Sequence, residues 1–274
     1  MKFLISNDDG YKAQGIHVLA RVMAAFGDVT VVAPKFHQSA MSMAVSLGVK
    51  QLVYKDLPSE SPGDWMYLDA TPASCIKYGL EFKYPHRNPD LVVCGINHGY
   101  NASTAANYSA TLGAAEEAAV NGIRAIGVSI SDHASECDFS AVEALLPGII
   151  RKLWDNWPAG VWGLYYNVNF PTLPLPEIKG VRMARLGKGH WIKEFEPWNE
   201  ESLGNLTDSF LWQHHRVAME EGEKAVFMRG EYVSDDWDPA TADHLLMKEG
   251  WVTIVPCSAD LTDYQILERQ KDLF

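Results

Sequence analysis

A short apolar run that ends in four turn-forming residues constrains this chain more than any other feature. Phe3 to Ile5 has strand length and composition, and it soon closes on Asn7-Asp8-Asp9-Gly10. Ile16, Leu19, Ala20, Met23 and Phe26 follow at helical spacing, which predicts a helix over residues 15 to 26. Asp28 and Val29 to Ala33 then give a second strand, closed by Pro34. Strand, helix and strand this close in sequence form a right-handed βαβ unit with parallel strands. Two adjacent carboxylates therefore sit where the first strand of a parallel sheet gives way to a loop, the edge at which such sheets bind ligands. One carboxylate suffices for a turn or a helix cap. The second brings repulsion that a bound cation would remove. This stretch alone leaves a turn and a metal site both open.

The alternation continues down the chain. Two short strands are read within residues 49 to 69. Thr71-Pro72 opens a helix, with Thr as N-cap and Pro at the first helical position. Asp90 to Cys94 is a buried strand that breaks at Gly95, and residues 95 to 101 read as a loop at its carboxyl end. Ser109-Ala110-Thr111 leads into an Ala-rich helix from Leu112 to the Asn121-Gly122 stop. Strands at 124–130, 164–170, 181–186, 225–233 and 251–255 and helices at 139–154 and 240–248 complete the pattern. The expected fold class is α/β, a mostly parallel sheet with helices on both faces in three Rossmann-like layers. Residues 187 to 224 carry aromatics and charges with few clean periods, so an irregular excursion or hairpin is expected there. On this reading the chain divides into an α/β catalytic core (1–186), the excursion (187–233), a returning helix and strand (234–256) and a C-terminal arm (257–274).

Composition narrows the partners. The 274 residues are 47% hydrophobic, enough for a substantial core. A formal net charge of −12 repels a phosphate backbone, so long nucleic acids are not expected as partners. A small phosphate ester remains admissible where a metal supplies local positive charge. The four cysteines show neither a CxxC pair nor zinc-ligand spacing. No apolar run is long enough for a signal peptide or a membrane span, so a cytoplasmic protein with reduced thiols and no membrane partner is expected. Eight of the nine tryptophans fall from Trp154 onward, available for packing or for stacking on a ligand's base.

Three loops, residues 7–10, 35–46 and 95–111, each follow a strand of one parallel sheet and so open on one edge. Asp8, Asp9, Ser39, Ser42, Asn97, Asn101 and Ser109 meet on that rim. Their carboxylate, hydroxyl and amide oxygens are hard ligands, suited to Mg²⁺ or Mn²⁺. Taken singly, the asparagines suit turns and Ser109 suits an N-cap. Convergence beside a carboxylate pair favours a cation site.

Several of these residues fall into known motifs. Asn7-Asp8-Asp9-Gly10, Val32-Ala33-Pro34 with Gln38-Ser39, Thr71-Pro72-Ala73, Gly95-Ile96-Asn97-His98-Gly99 with Asn101, Tyr108-Ser109, and Asn167-Val168-Asn169 with Pro171 resemble the SurE family. Order and spacing agree through residue 186 and again at Asp243 and Gly250 to Pro256. The resemblance implies a metal-dependent 5′/3′-nucleotidase. It also implies one divalent cation per subunit, held by Asp8, Asp9, Ser39 and Asn97, and a homodimer or homotetramer that exchanges C-terminal segments. The chain departs from the family pattern at four places. Lys35-Phe36-His37 replaces a stretch that commonly carries Arg, Ala40 follows Ser39 where Gly is usual, Ala110 replaces the Gly of Tyr-Ser-Gly-Thr, and Ala242-Asp243 replaces Thr-Asp.

The implied reaction is hydrolysis of nucleoside monophosphates. Asp8 and Asp9 are the candidate catalytic residues. Asp9 is read as orienting the attacking water or taking its proton and Asp8 as chiefly a ligand, with the reverse assignment open because the two are neighbours. Asn101, Ser109, Ser42 and Thr111 are candidates to hold phosphate or substrate, helped by the helix that begins near Ser109. His37 and His98 flank the ligands as candidates to protonate the leaving alkoxide. The alternative is a non-catalytic, Mg²⁺-dependent nucleotide-binding or signalling protein. A phospho-receiver would need an acid where Asn97 stands, and a haloacid-dehalogenase-type phosphatase would need Asp-x-Asp.

Overall fold

Alternating apolar runs bring nine strands into one sheet in the computed structural model, which describes the chain except residues 49, 59–60, 133, 135–136, 199–218, 229 and 274. The middle of the expected excursion therefore lies outside the described residues. The strands stand in the order β3 (Tyr54–Leu57), β4 (Asp64–Leu68), β2 (Asp28–Pro34), β1 (Lys2–Ser6), β5 (Leu91–His98), β6 (Ala125–Ile130), β7 (Leu164–Phe170), β13 (Trp251–Ser258) and β8 (Gly180–Met183). From β4 to β7 all neighbours are parallel. β3 is antiparallel to β4, and β13 runs antiparallel to β7 and parallel to β8.

The strand period sorts side chains to two faces. Phe3 and Ile5 meet α1 (Gln14–Ala24) and α4 (Ser140–Asp155) in a core with Ile16, Leu19, Met23 and Leu146. Leu4 points the other way and packs with Ile76 of α2 (Pro72–Tyr78) and Leu112 and Ala115 of α3 (Ala110–Val120). Strands covered on both faces can be apolar at every position, as β1, β5 and β6 nearly are. The three-layer α/β expectation holds. Strand order reverses between β1 and β5, because the chain goes from β1 to β2 on one side and returns to β5 on the other. The crevice at their carboxyl ends is the usual ligand position in such sheets.

Several boundaries differ from the sequence reading. β5 does not break at Gly95. It continues to His98, with its pairing to β6 shifted between Cys94 and Asn97. Gly95 makes this possible with φ of 130°, at a spot where a Cβ would lie 2.2 Å from the Val128 carbonyl oxygen. The helix read from Leu112 begins at Ala110, and the last strand reaches Ser258 rather than Val255. The segment 225–233 forms two strands, β11 (Val226–Met228) and β12 (Glu231–Ser234), because the chain changes partners there. β11 pairs with β10 (Phe195–Pro197) and β12 with β9 (Gly189–Ile192), both antiparallel. α5 starts at Asp243, not residue 240, and ends at Lys248, because Asp238 holds residues 240–242 in a turn through Ala240 N (2.9 Å) and Thr241 Oγ1 (2.6 Å).

Two acids tie this arm to the core. Asp236 accepts a two-pronged pair from Arg185 at 2.6 and 2.7 Å. Asp243 is fully buried and accepts from the backbone N–H groups of Ser103 (3.0 Å), Gly187 (2.9 Å) and His244 (2.7 Å). α6 (Tyr264–Gln270) follows with no buried residue.

α1 presses directly on the irregular part of β5. A Cβ on Gly15 would stand 2.1 Å from the Ile96 carbonyl oxygen. Gly15→Ala is therefore expected to destabilise the fold by about 1–3 kcal/mol, as overpacking does. An unchanged urea midpoint would show that this contact gives way freely.

Candidate active site

Asp8 and Asp9 follow β1 directly and are 3% and 5% exposed. Their loop is locked to the loop after β2. Tyr11 N donates to the Pro34 carbonyl (3.0 Å), and Gln38 N donates to the Asp8 carbonyl (2.7 Å). Within the turn, Asn7 Nδ2 donates to the Gly10 carbonyl at 2.9 Å. Those bonds place Ser39, half-buried, one residue beyond a backbone contact to Asp8.

The two carboxylates receive different partners. Asp9 Oδ2 accepts from His98 N at 3.1 Å and lies 3.0 Å from His98 Nδ1. His37 Nδ1 stands 3.5 Å from Asp9 Oδ1. Burial alone would raise the Asp9 carboxyl, but the hydrogen bonds from His37 and His98 outweigh it and hold Asp9 below the usual carboxylate range. Asp8 accepts at Oδ1 from Thr111 Oγ1, 2.5 Å away in the first turn of α3. Burial and the neighbouring Asp9 charge push Asp8 up to about 7, against the opposing pull of Thr111.

Asn97 is buried on β5 beside His98, so it stands next to the Asp9 carboxylate. Its Nδ2 donates to the Gly99 carbonyl at 2.8 Å, which turns Oδ1 the other way. Asn97 Oδ1 is buried without a hydrogen bond, and buried Asp9 Oδ1 has only His37 Nδ1 at 3.5 Å. Buried acceptors are normally satisfied, and a cation would satisfy these. Among the described residues there is no group of three or more His, Cys, Asp or Glu able to hold a metal. The donors are two carboxylates with neutral oxygens, a set that fits a hard divalent ion. Thiolate chemistry is unavailable here: Cys94 of β5 is fully buried, and burial drives its thiol far upward.

The remaining predicted residues divide. Thr111 is sealed from solvent, and its hydroxyl orients Asp8. Ser109 caps α3, accepting from Leu112 N at 3.1 Å. Ser42 donates to the Asn107 carbonyl at 2.8 Å. Ser42 and Ser109 share a cleft of about 680 Å³ with Glu116, Tyr165 and Arg185. Asn101 is fixed at the ends of β6 and β7: its Nδ2 donates to Ser129 Oγ (2.8 Å), its N–H to Asn169 Oδ1 (2.7 Å), and its carbonyl accepts from Asn167 (2.7 Å). The positioning role of Ser129, Asn167 and Asn169 escaped the sequence reading. Two asparagines with strand spacing inside an apolar run, Leu164 to Phe170, are the signal that could have found it. Alanine stands at the two positions where the family pattern has glycine. Ala40 keeps a left-handed φ of 60°, and Ala110 starts α3 fully buried.

A family model described as Survival protein SurE matches residues 3–193. The chain belongs to the SurE family. Among its SurE relatives, the 5′-nucleotidase SurE of Cytophaga hutchinsonii is 36% identical over 266 residues, covering 96% of this chain and 93% of the relative. The 5′-nucleotidase SurE of Pelotomaculum thermopropionicum is 35% identical over 277 residues, covering 100% and 95%. The crystal structure of the SurE protein from Aquifex aeolicus matches with a TM-score of 0.77 at 26% identity, over 100% of this chain and 99% of that one.

Two outcomes follow from the Asp8 environment. Its carboxyl rises from 3.8 to about 7, so between those values the metal-free fold binds more protons than the unfolded chain. Its stability is therefore expected to fall as pH rises through that window. Thermal melts should show Mn²⁺ stabilising the protein strongly at pH 7.5 and little at pH 5, where a proton neutralises Asp8 instead. Thr111→Val removes the hydroxyl that steadies ionised Asp8 and is expected to weaken Mn²⁺ binding about 10–100-fold, as loss of a ligand's supporting bond does. Calorimetry showing unchanged affinity would remove Thr111 from the site.

Proposed function

We propose that this chain is a metal-dependent phosphomonoesterase that hydrolyses nucleoside 5′-monophosphates to nucleoside and phosphate, with 3′-monophosphates as the second substrate class to assay. It is a 5′-nucleotidase of the SurE family. One observation carries the reading: a buried, adjacent carboxylate pair on the rim between β1 and β5, with the buried Asn97 Oδ1 beside it unsatisfied. Relatives over nearly the whole chain bear the name 5′-nucleotidase SurE.

Asp8, Asp9, Ser39 and Asn97 would hold one Mg²⁺ or Mn²⁺ per subunit. Such an ion supplies Lewis acidity toward phosphate and toward a water. Asp9, clamped by His98 and His37, is the group that orients the attacking water and takes its proton. Asp8 is chiefly a ligand. His98 is buried against Asp9 and positions it. His37 is the more open of the two histidines and is placed to protonate the leaving alkoxide. Asn101 presents a fixed amide edge to substrate. The N-terminus of α3 favours the anion, but such termini contribute only up to ~2 kcal/mol. Uncatalysed monoester hydrolysis demands enhancements of up to ~10²¹, so the cation must carry most of the effect.

No helix among the described residues is long and apolar enough to cross a membrane, and a cytoplasmic location is part of this reading. So is a homodimer or homotetramer that exchanges C-terminal segments. Leu261 is 89% exposed, and Tyr264 and Leu267 of α6 are exposed as well, an apolar face suited to a second copy.

Phosphate release from nucleoside monophosphates tests the function. Release should require Mn²⁺ or Mg²⁺, stop with EDTA, and fall at least about 10²-fold in Asp8→Asn. A folded protein that releases no phosphate with either metal would overturn the enzymatic reading.

A further inference from the structure

A second cavity opens on the same rim, and nothing above uses it. It measures about 330 Å³. Tyr100, three residues past Asn97, lines it together with Ser131 at the end of β6 and Leu173 just beyond β7. Tyr232 of β12 and Met247 and Lys248 of α5 line it too. The arm thus completes a cavity that the core only begins. Among the described residues the tyrosine rings that line it and could stack on a base are those of Tyr100 and Tyr232.

Three physical arguments point to one kind of occupant. The first is reach. Neighbouring strands lie about 4.8 Å apart, so the end of β6 is roughly 10 Å from the end of β1. A ribose bridges that interval when its phosphate sits at the carboxylate pair. The second is surface. Tyr232 is held rigid: its hydroxyl bonds Ser103 Oγ, and its ring meets the His244 ring edge-on at 5.7 Å. A fixed aromatic face with Leu173 and Met247 nearby suits a planar base. The third is polarity. Lys248 adds a charged donor, which pairs well with a base edge that offers two acceptors.

We propose that this cavity is the nucleoside site, and that it prefers 6-oxopurines, whose O6 and N7 both accept from Lys248. The proposal rests on the nucleotidase reading. It predicts that base recognition depends on Tyr232, Met247 and Lys248, which lie outside the segment matched by the family model.

The test uses the full-length protein. Calorimetry measures guanosine and adenosine binding without any phosphate. Steady-state kinetics with Mn²⁺ compares GMP, AMP and ribose 5-phosphate, which has no base. Thr172→Trp fills the cavity from an exposed position. It should abolish guanosine binding and raise the GMP KM about tenfold, the scale of one lost stacking contact. Ribose 5-phosphate kcat/KM should stay within about twofold of wild type. Lys248→Gln, on the exposed end of α5, should narrow the GMP-to-AMP preference roughly fivefold. The proposal fails if wild type binds no guanosine, or if Thr172→Trp slows ribose 5-phosphate as much as GMP. It also fails if Thr172→Trp folds and leaves GMP unaffected, or if Lys248→Gln leaves the preference unchanged. Guanosine binding in a protein that releases no phosphate would strike down the hydrolysis reading while upholding the cavity assignment.

Discussion

Two carboxylates on consecutive buried residues impose the constraint that the rest of this molecule answers. Unit charges about 4 Å apart repel by roughly 4 kcal/mol at a protein-like dielectric. The fold meets that cost unequally. Asp9 receives two histidines and a backbone N–H, while Asp8 receives one threonine hydroxyl beside the start of α3. One acid is thereby kept ionised and the other balanced between charge states near neutral pH. At the proposed cation site a metal would take the place of a proton with little rearrangement, as reversible occupancy requires.

The sheet supplies what side-chain chemistry alone does not. Because parallel β1 and β5 send their connections to opposite sides of the sheet, through α1 to β2 and through α3 to β6, a crevice opens between their carboxyl ends. β2 sends its loop to brace the Asp8 backbone, and α3 sends Thr111 to the carboxylate. Farther along the rim, Ser129, Asn167 and Asn169 immobilise Asn101. The candidate donors are thus set by the ends of several strands, with Asp8 and Asp9 both following β1, so their geometry is tied to the sheet.

Much of this was legible in the sequence. Continuous apolar runs such as Phe3 to Ile5 and the 3.6-residue spacing of α1 report burial directly, and the parallel sheet follows from the alternation of strands and helices. The convergence of Asp8, Asp9 and Asn97 was legible because polar residues that follow parallel strands open on one edge of the sheet. The role of Thr111 was not, because it depends on which way the first turn of α3 faces. Extension of β5 to His98 was hidden too, since Gly95 ordinarily marks an end and here permits a shift in register. The arm was least legible. Its strands are three or four residues long and draw their order from Arg185, Asp236 and Asp243, contacts far apart in sequence.

Asp243 gathers N–H groups from the rim loop, the arm and its own helix around one carboxylate. Those three segments consequently share one mechanical fate: none can shift without stranding a buried donor. The working unit of this protein is then larger than the stretch that identifies its family, which stops at residue 193. Trimming the chain to its recognisable portion would discard the keystone while leaving every candidate metal ligand in place.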